Sequence, residues 1–502
     1  METSSRTLRD STRLVSAQLT VSLFSLGYFA LITHLFSKLD IAALAVVGIL
    51  NAIGGSVGGL GLMTLAQQRV PALRAGNSQD EAARLLGTCI TYSVAGATLV
   101  ALAIAAASRP LSLIFFKTGS ASHLIVAAAL LVISYKVYES VNLSMQALDD
   151  FRLVVRMRLL NDIGVRLVAL PAYLLGGILG YLFTLACGQL TMAITVMILN
   201  REQMRLREFF NWRSAGHHIR ESLPFYGHSV VRFGTAQADS LVVGIFLRPD
   251  LLATYYVIRR FYDYLALFFE ALLAPLIPKV AERRQDLGGR VAQAFRKSSR
   301  YLLPICLLTV LMLLPLSPQL LTAFGGAKFM GGLTGLRLLF VAAALYGLLG
   351  LHSAFILAAG RPRDFLINEV TLSSINLGLS ALLVPFYAVT GGAAARTLAT
   401  AAAALISYGI LSRAVSLRPS YDWSLLRRLL PVTVAAACAI LLVQAWMSSA
   451  LGVFLIWVAI LIILFYWIMR SNPEDVDFIM ESLRLQRWSF ARRMMRLVRN
   501  NC

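Results

Sequence analysis

Acidic side chains are what this chain has least of. Asp and Glu number 25 among 502 residues, against 46 Lys and Arg, and charged residues together make up 14% of the sequence. A soluble globular domain carries about 25%, so a molecule with water on every face is excluded. Cysteine is also sparse: Cys89, Cys187, Cys306, Cys438 and Cys502 stand far apart, four of them inside apolar runs. Neither a disulfide framework nor a zinc site has that spacing. There is no P-loop and no nucleophile elbow, so nucleotide hydrolysis and acyl transfer have no motif to carry them, and no cofactor is expected. A cleavable signal peptide is not expected either. Arg6, Arg9 and Arg13 precede an apolar run from Leu14 to Phe36, which is too long for a signal core and lacks a small-residue cleavage site.

What is there is hydrocarbon. The chain is 58% hydrophobic, with a mean hydropathy of +0.71. Apolar runs of about 20 residues, the length that crosses a bilayer as a helix, predict an all-α polytopic membrane protein of fourteen spans. They lie near 12–36, 41–67, 83–107, 122–147, 157–175, 178–199, 223–247, 251–277, 300–323, 333–359, 365–388, 392–413, 431–449 and 451–469. The formal charge of +21 does not call for nucleic acid, because the basic residues sit in short loops and in the tail. Every second loop is arginine-rich, from Arg69, Arg74 and Arg84 through Arg152, Arg156 and Arg158 to Arg413 and Arg418. The opposite loops hold only Lys38, Arg109, Lys117, Arg248 and Lys328. Cytoplasmic loops hold the excess of cations, so both termini are expected in the cytoplasm, with anionic inner-leaflet lipid as a partner. The loops on the other side are short, the longest running from about Ser108 to Ala121. That leaves little room for the acceptor domain of a glycan polymerase or ligase, so a transporter is expected and not an enzyme.

Two halves resemble each other faintly. Leu160-Asn161-Asp162-Ile163 opens the fifth span and Ile367-Asn368-Glu369-Val370 the eleventh, and each leads to a glycine-containing turn, Gly176-Gly177 and Gly391-Gly392. Such repeats would be parallel six-helix bundles related by an axis along the membrane normal. The expected organisation is therefore a first bundle over 1–199, a cytoplasmic linker over 200–222, a second bundle over 223–413, two additional spans over 414–470 and a cytoplasmic tail over 471–502. In the tail, Arg484, Arg487, Arg492, Arg493, Arg496 and Arg499 alternate with Leu485, Trp488, Phe490, Met494, Met495 and Leu497, as in a basic amphipathic helix lying on a membrane surface.

The chemistry is expected where ionisable residues sit far inside apolar runs. The hairpin from Leu223 to Arg284 has the densest set. His228, Arg232, Thr235 and Asp239 share one helical face, and Tyr256, Arg260, Asp263 and Glu270 nearly share another, with Arg259 adjacent. An arginine at mid-bilayer costs about 2.5–3.5 kcal/mol, so these groups face protein or a water-filled cavity. Arg259 and Arg260 point about 100° apart, and Asp263 can neutralise only one of them well, which leaves a guanidinium to face a ligand. Asp239 reads as a structural partner. Other candidates for the cavity or for ion coupling are Lys136 with Glu139, the i,i+4 pair Asp162 and Arg166, His352, Glu369 and Arg396. Packing or internal salt bridges would explain these equally well. Gly54, Gly55, Gly58, Gly59 and Gly61 allow close packing or bending of the second span, and Pro275 and Pro278 should end the eighth.

On Gly59–Asn77 (GLGLMTLAQQRVPALRAGN), on Asp239-Ser240 before LVVGIFL, on Ala253–Arg260 (ATYYVIRR) and on Ala274–Pro278 (APLIP), the chain resembles the polysaccharide flippases. These are the Wzx-like branch of the multidrug/oligosaccharidyl-lipid/polysaccharide (MOP) exporter superfamily. Ala253-Thr254 stands where that family usually has glycine. The resemblance implies two bundles around a cavity that opens alternately to each side. It implies a polyprenyl-diphosphate-linked oligosaccharide moved to the outer leaflet of a bacterial inner membrane, with Arg232, Arg259 and Arg260 as candidates to hold the diphosphate. Glycan polymerase or export machinery would be further partners. A lipid II flippase of the same superfamily has arginines in its first two helices, and here none lies between Arg13 and Arg69. A cation-coupled drug exporter usually has a carboxylate in its first helix, and here none lies between Asp10 and Asp40.

Overall fold

The computed structural model describes residues 20–76, 78–201, 215–273 and 290–414, with 421–424, 426–427, 430–431, 434–435 and 438 beyond. The start of the first span, most of the cytoplasmic linker, the Pro275–Pro278 end, most of the last two spans and the basic tail lie outside the described residues. Among the described residues the fold is all-helical: α1 (Thr20–Leu35), α2 (Lys38–Ile53), α3 (Leu62–Ala75), α4 (Gln79–Ala106), α5 (Ser108–Phe116), α6 (Ser122–Ala147), α7 (Phe151–Leu159) and α8 (Arg166–Leu199). Then follow α9 (Ala215–Phe246), α10 (Pro249–Leu273), α11 (Arg290–Gly325), α12 (Leu333–Ala358) and α13 (Pro362–Ala414). Among the described residues, seven helical stretches are long and apolar enough to cross a membrane. Two of these, of 49 and 52 residues, each join two of the expected spans. Fourteen spans are therefore not all visible.

Local chemistry explains where helices start and break. Ser37 and Asp40 form a reciprocal capping box that opens α2: the Ser37 Oγ accepts from the Asp40 amide at 3.1 Å, and the Asp40 carboxylate accepts from the Ser37 amide at 3.2 Å. The second span, expected as one helix over 41–67, is instead broken. A π-helical turn at Gly54–Gly58 is followed by Leu60 and Gly61, both with positive φ, before α3 begins. The glycines serve both uses expected of them. A Cβ on Gly58 would stand 2.4 Å from the Ala97 Cα and one on Gly96 2.3 Å from the Gly58 oxygen, so here the backbones of the π turn and α4 touch. A second π turn, Leu160–Val165, joins α7 to α8.

The expected repeat has a counterpart in backbone geometry. Gly177 (φ 60°, ψ −153°) interrupts α8 and Ala388 (φ 48°, ψ −128°) interrupts α13. Three residues after each comes a glycine with no room for a Cβ. At Gly180 that atom would lie 2.5 Å from the Ala172 oxygen, and at Gly391 2.3 Å from the Leu383 oxygen. The second turn thus falls at Ala388 and not, as expected, at Gly391-Gly392. Gly391 is instead the counterpart of Gly180, the residue that lets the returning helix pass against the carbonyl it has just left.

The described residues divide into two compact units. The first lies within Met1–Tyr264, Phe324–Leu339 and Leu366–Ala403, and the second within Leu265–Ala323, Phe340–Phe365 and Ala404–Cys502. In the first, Leu62, Met63, Leu86, Val141, Met145 and Met157 form a buried core. In the second, the rings of Phe295, His352, Tyr408 and Tyr421 pack together, Phe295 stacked on His352 and Tyr408 on Tyr421.

Candidate functional site

The first unit contains the hairpin that the sequence singles out. Pro249 opens α10, a position that needs no backbone N–H. Successive turns of α10 then present two faces. Tyr255, Arg259 and Tyr262 are buried, while Tyr256, Arg260 and Tyr264 are half-buried.

On the buried face Asp239, from α9, is fully enclosed. It accepts from Arg259 Nη1 at 2.6 and 2.5 Å, from Arg396 Nη2 at 2.7 Å and Nε at 2.9 Å, from the Tyr255 hydroxyl at 2.5 Å and from the Ser240 amide at 2.9 Å. The remaining guanidinium donors are also used. Arg259 donates to the Ala236 carbonyl at 2.8 Å and to Asp263 at 3.1 Å, and Arg396 to the Thr235 carbonyl at 2.5 Å. Both guanidiniums lie over the Tyr262 ring, 5.1 and 5.4 Å from its centroid. Two charges of one sign thus share one carboxylate, and Asp263 brings the group to neutrality. Removed from water, such a cluster holds only because nearly every donor and acceptor is matched. It ties α9, α10 and α13 together.

Arg260 is different. Its side chain is 41% exposed, and the nearer carboxylate oxygen of Asp263 lies 3.9 Å away. Its Nη2 donates to the Tyr256 hydroxyl at 2.6 Å, and its Cζ sits 4.8 Å from that ring's centroid. Asp263 therefore serves Arg259 first, and Arg260 keeps its charge toward open space. Arg166 is held in a similar way. It is 33% exposed, with Asp162 at 3.5 Å, and it donates to the Ser25 hydroxyl of α1 at 3.0 Å. Ser25 also accepts, at its carbonyl, from Tyr264 at 3.1 Å, and Phe29 of α1 packs its ring 6.3 Å from that of Tyr256. The Tyr28 hydroxyl donates to the Arg166 carbonyl at 3.0 Å and lies 3.2 Å from that of Tyr181. Two under-neutralised guanidiniums, on α8 and α10, thus border α1: Arg166 through the Ser25 hydroxyl, and Arg260 through its partner Tyr256, whose ring meets that of Phe29. Such a set can bind an anion with planar, charge-assisted hydrogen bonds.

The other expected residues lie elsewhere. Arg232 is exposed on α9, and His228 is half-buried one turn before it. Lys136 is buried and donates to Glu139 at 2.8 Å. Next to that pair on α6, Asn142, Gln146 and Gln67 make a hydrogen-bonded string. Glu369 is half-buried on α13. In the second unit, Glu270 accepts from Tyr346 at 2.7 Å, and His352 bonds Ser407 at 2.7 Å through Nδ1 and Tyr421 through Nε2. The sequence does not single out Ser25, Tyr28, Tyr181, Tyr262 or Tyr264, and it marks Tyr255 only as part of the ATYYVIRR segment. Only Tyr255 and Tyr262 have a local signal, their i−4 and i+3 spacing from Arg259. Among the described residues no group of three His, Cys, Asp or Glu is placed to hold a metal.

Comparison with known proteins follows the same lines. Residues 75–330 match the family model described as "Polysaccharide biosynthesis protein". No curated protein matches the sequence. Among solved structures, the lipid II flippase MurJ in an inward closed conformation is similar with a TM-score of 0.66 and 16% identity, covering 91% of this chain and 98% of its own. An inward-facing multidrug resistance MATE family transporter of the MOP superfamily gives 0.60 and 15%, covering 81% and 98%. A eukaryotic MATE transporter gives 0.56 and 15%, covering 82% and 98%. At these identities the likeness is one of fold, that of a multi-pass membrane protein.

Proposed function

Because the chain belongs to the polysaccharide biosynthesis protein family, we propose that it is a flippase. Its cargo is a polyprenyl-diphosphate-linked oligosaccharide, moved by alternating access from the cytoplasmic to the outer leaflet of a bacterial inner membrane, with both termini in the cytoplasm. The observation that carries this reading is the pair Arg166 and Arg260, each part-exposed and each with its carboxylate at 3.5 Å or more. A diphosphate cannot cross hydrocarbon unaided, and two guanidinium forks in a low-dielectric site bind it while the hydroxyls of Ser25 and Tyr256 orient them. Arg259 and Arg396 take a supporting part: their donors are spent on Asp239, Asp263 and backbone carbonyls, and they hold α10 in register so that Arg260 faces outward. The site's charge is opposite to what a cationic drug would need. The absence of any nucleotide motif in the sequence favours an ion gradient as the energy source, with Glu139, Asp263 and Glu369 the half-buried carboxylates available to couple it.

The test is flipping of a short polyprenyl diphosphate in proteoliposomes, counted per folded molecule. Arg260→Ala should lower transport about 10- to 100-fold, the effect of losing a charged hydrogen bond of about 1.5–3 kcal/mol. Arg260→Lys should fall between, because it keeps the charge and loses the fork. Wild-type transport in the Arg166→Ala, Arg260→Ala double variant would remove the site.

A further inference from the structure

The arginine-poor face contradicts its own scarcity. Its loops hold five basic residues, Lys38, Arg109, Lys117, Arg248 and Lys328, and the positive-inside rule gives no reason for them to meet. Four of them do, all within the first unit. Lys38, Lys117 and Arg248, from three different loops, line one cavity of about 470 Å³. Lys328, from a fourth, lies beside it: its ammonium is 5.4 Å, and that of Lys38 5.9 Å, from the centroid of the same Phe329 ring. Two carboxylates stand against these four cations: Asp250, which lines the cavity, and Asp40, whose charge reaches Lys328.

Helix capping accounts for part of this. Lys117 donates to the Ile114 and Ile245 carbonyls at 2.7 and 2.5 Å, and Lys328 to the Phe36 carbonyl at 2.7 Å, so each satisfies a helix C-terminus. Capping does not explain Lys38 or Arg248. Arg248 makes one long contact, 3.4 Å to Asp250, and its side chain is 75% exposed. Burial holds the Lys117 ammonium below the ordinary lysine pKa, a cost that a bound anion would offset. The rim is apolar: Leu39 and Phe116 line the cavity, and Leu39, Ile114, Ile245 and Phe246 are 39–54% exposed. A concave cluster of cations with an apolar rim suits a phosphate that carries a hydrocarbon tail.

We propose that this cavity is a second anion site, separate from Arg166 and Arg260, which binds a lipid-borne phosphate on the arginine-poor side. Two sources share that chemistry: the phosphodiester of an anionic phospholipid, and a prenyl diphosphate leaving the protein. Lys38 and Arg248 are the binding residues, while Lys117 and Lys328 contribute field from fixed positions.

The experiment uses the full chain in phosphatidylcholine nanodiscs. Retention of added phosphatidylglycerol is read by native mass spectrometry, and farnesyl diphosphate binding is titrated in an Arg166→Ala, Arg260→Ala background so that the other site does not contribute. Lys38→Gln with Arg248→Gln should weaken at least one probe about tenfold or more, the loss of two charge-assisted bonds. The charge-keeping swap Lys38→Arg with Arg248→Lys should retain binding, which separates charge from misfolding. Loss for phosphatidylglycerol alone identifies a membrane-lipid site, and loss for farnesyl diphosphate alone identifies a cargo site. Equal binding by the wild type and the glutamine variant, or no binding of either probe by the wild type, overturns the proposal. Because the titration is made without Arg166 and Arg260, its outcome is independent of whether those arginines bind cargo.

Discussion

Replacing Asp239 by Asn is the sharpest perturbation of this molecule. The carboxylate accepts from two guanidiniums whose side chains are 8% and 3% exposed, and its own side chain is 0% exposed. An amide of the same shape removes the charge between Arg259 and Arg396 and turns an N–H donor toward donors that are already there. Breaking a buried pair by removing one partner costs about 3–5 kcal/mol. That is a large share of a typical folding free energy of about 5–15 kcal/mol. Two buried thiols make the assay: Cys89 is 0% and Cys306 5% exposed. With Cys187, Cys438 and Cys502 changed to serine, a thiol-reactive dye reports unfolding as detergent-solubilised protein is heated. Asp239→Asn should melt far below the parent. The triple change Asp239→Leu, Arg259→Met, Arg396→Met, which removes the three buried charges together and leaves Asp263, 40% exposed, to Arg260, should recover most of the loss, since apolar replacement of a buried ion cluster is often neutral or better. Asp239→Asn melting with the parent would refute the reasoning. So would a triple variant no better than the single one.

Other consequences can be measured separately. Ala388 holds a backbone conformation that suits glycine, so Ala388→Gly should raise stability by about 1 kcal/mol, whereas Gly391→Ala should lower it by about 1–3 kcal/mol, because its Cβ would meet a backbone oxygen at 2.3 Å; thermal melts decide both. For topology, cysteines placed at Ser120 and Ala327 should be labelled by an impermeant reagent from outside, and cysteines at Asn211 and Gln285 should not; the reverse pattern would invert the orientation. Transport should depend on an ion gradient and not on ATP, so sustained uphill movement in vesicles given ATP alone would contradict the coupling proposed.

The sequence by itself determined the features that depend on neighbours along the chain. Whether a stretch crosses a bilayer is decided by about 20 consecutive side chains, so α6 was legible to the residue as 122–147, and the α9–α10 turn within two residues, although α9 begins at Ala215, inside the expected linker and well before the expected 223. The shared face of Arg232 and Asp239 followed from helical periodicity, and the family was legible in the hairpin and the second span. Local pattern ran short where one residue's backbone mattered. Leu60 and Gly61 break what hydropathy reads as one helix, and the break in α13 falls on Ala388, which nothing in its composition marks.

Only the tertiary structure decided which charges are spent. Arg259 and Arg260 are adjacent and chemically identical, and the sequence offered both to the ligand. The difference between them is made by Asp239, 20 residues from Arg259, and by Arg396, 157 residues from Asp239. In the same way Arg166 and the Tyr256 partner of Arg260 both come against α1, at Ser25 and Phe29, and Lys38, Lys117, Arg248 and Lys328 gather from four separate loops. A buried ion takes whatever opposite charge packing brings within about 4 Å, and that pairing has no period to read along the chain.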